Sequence, residues 1–130
     1  MFIQEFKPQM IGIGPFIPHK DTPFGNEPAG NLKLTLFLIS LLRLMHPDAL
    51  IPATTAIGTL KEGGREEAIL CGANVVMPNL SPADHRKDYS LYNNKLSDGA
   101  EAAESRRALD ERLRAIGYQT VTDRGDYLNR

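Results

Sequence analysis

The 130-residue sequence contains a single cysteine, Cys71, and no tryptophan. One thiol excludes a disulfide framework, and it excludes a zinc or iron–sulfur site built from this chain's own cysteines. Net charge is nearly absent: 15 Lys and Arg against 16 Asp and Glu leave −1. That balance offers no basic footprint for nucleic acid and no attraction to an anionic membrane. Long apolar runs are lacking too. The longest, residues 32–45, is interrupted by Lys33, Thr35, Ser40 and Arg43 and is too short to span a bilayer. No charged-then-apolar leader precedes Glu5 and Lys7, so a signal peptide is not expected. One thiol without a leader reads as a cytoplasmic protein.

What is present is an ordinary globular composition, 42% hydrophobic and 24% charged, in a length that makes one domain. Proline punctuates it. Three short apolar runs each end in Pro and polar residues: M-I-G-I-G-P-F-I-P-H at 10–19, I-P-A-T-T-A at 51–56 and N-V-V-M-P-N-L-S-P at 74–82. A helical pattern follows each. That rhythm predicts parallel β/α units with strands over 10–16, 50–55 and 74–77, where ligands gather at the carboxyl ends of strands. Gly12 and Gly14 fall on one face of the first strand, where a neighbour or ligand can approach the backbone. Residues 17–30 form a loop, long for its type and therefore of functional interest.

Helices are predicted over 32–45 (Asn31 as N-cap, Pro47 fixing the end), 64–70 with Gly72 at C′, 81–92 behind a Ser81-Pro82 start, and 98–116 with Leu109, Leu113 and Ile116 on one stripe and Gly117 as the stop. Residues 1–7 read as the end of a helix, 118–122 as a short final strand and 123–130 as a frayed tail. The helix over 32–45 is apolar nearly all round, which fits packing between a sheet and neighbouring helices. Three β/α units alone leave sheet faces and edges uncovered, so the pattern looks like part of a (β/α) barrel, which takes about 250 residues.

The strand ends, together with D-T-P-F at 21–24, G-T-L at 58–60, G-R-E at 64–66 and C-G-A-N-V-V-M-P-N at 71–79, resemble the C-terminal half of radical S-adenosylmethionine (SAM) enzymes of the biotin synthase group, most of all the HydE-type maturases of [FeFe]-hydrogenase. The resemblance covers residues 1 to about 118. It implies a partial TIM-type barrel, strands six to eight with their helices (1–96), and a C-terminal helical extension with a short strand (97–130). It implies SAM and one [4Fe-4S] cluster in the intact enzyme, and a small-molecule or small iron-complex substrate. The family's three-cysteine cluster loop has no counterpart here, so the chain is expected to be inert without the N-terminal half of the barrel as partner. An accessory cluster found in some relatives would fall at Ser97, Ser105 and Ala108; hydroxyls and a methyl do not replace thiolates as iron ligands, so it is expected to be absent.

The same resemblance assigns the SAM adenine to Pro15, Phe16 and Ile17, and the substrate to Thr54 and Thr55. Successive strand residues point to opposite sides, so both threonines reach one site only where the strand has ended. Met10, Met77, Asn79, Tyr89 and Tyr92 complete the substrate set; each has a plain alternative as core, turn or wall packing. No catalytic residue and no metal ligand is assigned. His19, His46 and His85 match no metal-binding spacing, Arg65 is read as bonding its own loop, and Cys71 as an inert buried thiol. Two other readings stand beside this one: another biotin synthase-group enzyme acting on a small organic substrate, or a non-enzymatic protein that binds through an open sheet edge.

Overall fold

The computed structural model describes residues 2–78, 102–121 and 125–127, with side chains of the second stretch from residue 106 onward. Five helices lie among them: α1 (Phe2–Phe6), α2 (Leu32–Met45), α3 (Thr55–Leu60), α4 (Gly64–Leu70) and α5 (Ala102–Ala115).

Helix α2 has the bounds its sequence predicts. The Asn31 side chain accepts the Leu34 N–H at 3.1 Å, satisfying one of the free donors of the first turn. At the other end the His46 N–H closes on the Leu42 carbonyl, and Pro47 cannot continue the ladder. Arg43 turns this end into a clamp. Its Nε donates to the Gly72 carbonyl at 2.8 Å, and Nη1 donates to the Pro47 and His46 carbonyls at 2.7 and 3.3 Å. Burial pushes the guanidinium below its ordinary pKa, opposed by the Asp48 carboxylate. The clamp ties the end of α2 to the end of α4, where Cys71 caps the helix and Gly72 sits at φ 110°.

The strands are where the structure corrects the sequence. No strand forms among the described residues, so the partial TIM-type barrel is not the architecture seen. The runs at 10–16 and 50–53 lie parallel but share one isolated bridge, Met10↔Leu50; a second, Pro52↔Val75, brings in the third run. The sequence shows why neither bridge grows. Leu50 donates to the Gln9 carbonyl and accepts from Ile11, both at 2.9 Å. The next rung would need an N–H from residue 52, and proline has none. On the other side the Ile51 N–H is taken by the Asn74 side chain at 2.8 Å, which also reaches the Ala49 carbonyl. Beyond Ala53 the chain enters α3, where the sequence predicts the end of a strand at Thr55 and a loop broken by Gly58, Gly63 and Gly64. The expected strand over 118–122 is likewise absent at 118–121, where Thr120 instead bonds Asp110.

One core holds these pieces together: Ile39 from α2, Ala49, Ile51 and Ala53 from the central run, Ile57 from α3, Ala68 and Ile69 from α4, Ala73, and Leu109 and Leu113 from α5. The leucines sit four apart on one face of α5, as the stripe predicts. Arg112 Nε lies 3.0 Å from Glu66 Oε1, an ion pair off the hydrogen-bond line, and it links α5 to α4. Past α5 the chain turns at Gly117 and folds back, with the Tyr118 N–H bonded to the Leu113 carbonyl. Asp110 then accepts from the Thr120 hydroxyl at 2.8 Å and from Arg114 Nε at 2.8 Å. The Thr120 bonds, more than Arg114, hold the Asp110 carboxyl below the usual carboxylate range.

Candidate functional site

The runs at 10–16 and 50–53 end side by side, and their ends meet at Gly14 and Thr54. A Cβ on Gly14 would lie 2.9 Å from Thr54 Oγ1, closer than real Cβ atoms come. Only a residue without a side chain allows this approach; Gly12, on the same face, meets nothing. Thr54 is the N-cap of α3, yet its side chain makes no capping bond. Its Oγ1 is buried and has no hydrogen-bond partner among the described residues. A buried hydroxyl without a partner costs about 1–3 kcal/mol, and such a group in a native structure calls for an occupant or an explanation.

Next to this contact, Pro15 is buried and Phe16 is 47% exposed, leaving its ring as an open apolar wall. Ile17 is half-buried. The loop over 17–30 comes back to the same point: the Gly30 N–H donates to the Phe16 carbonyl at 2.8 Å. The loop is held by its own turns, with His19 accepting at its carbonyl from Thr22 and at Nδ1 from the Asp21 N–H at 3.2 Å. One acceptor that an adenine would use at Phe16 is therefore already engaged, while the ring face is free.

The structure separates the threonine pair. Thr55 is the first residue of α3, half-buried, and its carbonyl accepts the Thr59 hydroxyl. Met10 is 52% exposed and level with Leu50, four residues or about 13 Å of extended chain before Thr54. Met77 is exposed two residues beyond the Val75 bridge. Asn79, Tyr89 and Tyr92 lie outside the described residues, as do His85 and Ser97. Ala108 is exposed on α5. Of the expected set, the structure brings Thr54 together with Pro15 and Phe16 through Gly14.

A cavity of about 230 Å³ opens elsewhere, where the central run begins, lined by Gln4, Lys7, Met45, His46, Asp48 and Tyr127 among others. It holds none of the expected residues. No group of three or more His, Cys, Asp or Glu suited to a metal ion occurs among the described residues. Cys71, the chain's one thiol, cannot supply the three thiolates of a [4Fe-4S] cluster, so the residues present do not fit that group. No described helix is long and apolar enough to cross a membrane.

No protein-family profile matches the chain. Among curated proteins it is 52% identical over 96 residues to the [FeFe] hydrogenase maturase subunit HydE of Thermotoga maritima, covering 74% of this chain and 28% of that protein. It is 33% identical over 92 residues to 3-methylornithine synthase of Methanosarcina barkeri, covering 70% of this chain and 25% of that protein. The chain thus spans about a quarter of the length of the curated relatives it matches. These identities define radical SAM-type sequence. Within that class the chain is HydE-like.

Proposed function

We propose that this chain supplies part of the ligand-binding wall of a HydE-like radical SAM enzyme, serving assembly of the [FeFe]-hydrogenase di-iron cofactor. Pro15, Phe16 and Ile17 receive the adenine of SAM. Thr54 and Thr55, with Met10, Met77, Asn79, Tyr89 and Tyr92, contact a small-molecule or small iron-complex substrate. Residues 1–96 form the ligand-binding unit and 97–130 its extension, in a cytoplasmic protein. SAM bound at a [4Fe-4S] cluster supplies radical chemistry in such enzymes, and the cluster's thiolates come from other polypeptide. This chain's own residues present an apolar wall and a hydroxyl, and alone it is inert.

The observation that carries this reading is the buried, unpartnered Thr54 Oγ1 against Gly14, one residue from Pro15. The test is NMR titration of the chain with 5′-deoxyadenosine at millimolar concentration. Amide shifts at Gly14, Phe16, Thr54 and Thr55 are expected, and Thr54→Val should reduce them. Shifts confined to the Lys7–His46 cavity would overturn the assignment. Inertness is checked separately: with iron, sulfide, dithionite and SAM, 5′-deoxyadenosine should stay at background.

The identity to 3-methylornithine synthase favours a second reading, a radical SAM enzyme acting on a small organic substrate. On that reading the adenine assignment stands and the ligand at Thr54 and Thr55 is the organic substrate, so competition by amino acids for the Thr54 shifts would select it.

A further inference from the structure

The cavity where the central run begins lies apart from Thr54 and Phe16, and its lining is chemically mixed. Around its volume of about 230 Å³ stand one ammonium, Lys7, one carboxylate, Asp48, the amide of Gln4 and the imidazole of His46, with Met45 and Pro8 as apolar surface. Two of these residues carry features that local structure leaves unexplained.

His46 ends α2, and its backbone is fully used: the N–H bonds the Leu42 carbonyl, and its own carbonyl accepts from Arg43. The ring is not satisfied in the same way. Its Nε2 is buried and has no hydrogen-bond partner among the described residues. A buried ring nitrogen is costly to leave bare in either tautomer. Lys7 follows α1, and its N–H bonds the Ile3 carbonyl at 2.9 Å. It does so at φ 48°, the one described residue other than glycine at positive φ. Glycine takes such a place at a helix end without strain, whereas lysine does not. Backbone strain of this kind gathers at sites where a side chain is used. Here that side chain is an ammonium beside the cavity.

The lining narrows the ligand by elimination. Asp48 repels a simple anion and Lys7 repels a simple cation, so the complement carries both charges. A volume below the roughly 300–1,000 Å³ of drug-sized sites keeps that ligand small. Lys7 and Asp48 are exposed, so the ligand reaches them from solvent and is held weakly. We propose that this cavity binds a small free α-amino acid, with its carboxylate at Lys7 and His46 Nε2, its ammonium at Asp48 and its side chain on Met45 and Pro8. The proposal does not rest on the adenine and substrate assignments, which lie where the central run ends.

The test is NMR titration of the full chain with L-alanine, acetate and methylammonium. Alanine at millimolar concentration should shift the amides of Lys7, His46 and Asp48 and leave Thr54 in place. Acetate and methylammonium each carry half the charge pattern and should bind about fivefold more weakly. Lys7→Gly suits the backbone at φ 48° and removes the ammonium. It should weaken alanine binding about fivefold, while urea unfolding finds the variant at least as stable as the parent. Acetate binding as well as alanine, an alanine affinity that Lys7→Gly leaves unchanged, or no shift at the cavity would each overturn the proposal. Alanine shifts at Thr54 alone would overturn it too, and would favour a small organic substrate at that site. None of these readouts involves 5′-deoxyadenosine, so they fail independently of the adenine assignment.

Discussion

Thr54 has a hydroxyl that neither caps α3 nor finds another partner among the described residues, set against a glycine whose missing side chain leaves the space for it. Keeping such a group costs stability, a trade common at binding sites. Thr54→Val keeps the shape and removes the unpartnered oxygen, so the chain should gain about 1 kcal/mol in urea unfolding, while the 5′-deoxyadenosine shifts weaken. A loss of stability of that size would mean the hydroxyl is satisfied. Gly72 is the opposite case. Its φ of 110° and the 2.7 Å from its would-be Cβ to the Arg43 Cβ exclude any side chain, so Gly72→Ala should destabilise by about 1–3 kcal/mol on the same assay. Gly72 was legible in the sequence, since a glycine just past an apolar helix marks C′. Thr54 was legible only as half of a pair. Two adjacent threonines say that a strand is ending, but not that the next residue starts a helix and takes Thr55 with it.

Among the elements, α2 could be read almost to the residue because its limits are set locally, by the Asn31 cap and by Pro47. The strands could not, because a ladder depends on what lies beside it. Pro52 removes the rung that would extend the Met10 bridge, and Asn74 occupies the Ile51 N–H that would extend the other. Helix α3 was hidden by Gly58, a breaker by propensity that buried Ile57 overrides through its place in the core. The end of α5 carries a device that the charge pattern concealed among its exposed ions, the Asp110–Thr120 clasp. Because the folded pKa of Asp110 is lowered, its contribution is fully present above the ordinary carboxylate value near 4 and is lost as pH falls through the depressed value. Exchange protection of the Thr120 amide should therefore drop in acid. In Asp110→Asn that acid step should disappear, and an unchanged profile would sink the assignment.

At the scale of the molecule, the core is small and assembled from distant parts of the chain. Its largest fully buried side chains are three isoleucines, Ile39, Ile51 and Ile57, and four of its ten members are alanines. Leu109 and Leu113 therefore bring two of its larger side chains, from a helix that begins some fifty residues after α3 starts. The Arg112–Glu66 pair adds little, since one partner is half exposed; apolar contact is what seats α5. If α5 shares the core in this way, it unfolds with the central run. Leu113→Ala should cost about 2–4 kcal/mol, and the loss should register equally at both ends of the contact. Hydrogen exchange checks this: the amides of Ile51 and Ala53 and those of α5 near Leu109 should open with one free energy in the parent chain and fall together in the variant. Protection at Ile51 that survives while α5 exchanges freely would show α5 to be only laid against the body, with the core closed without it.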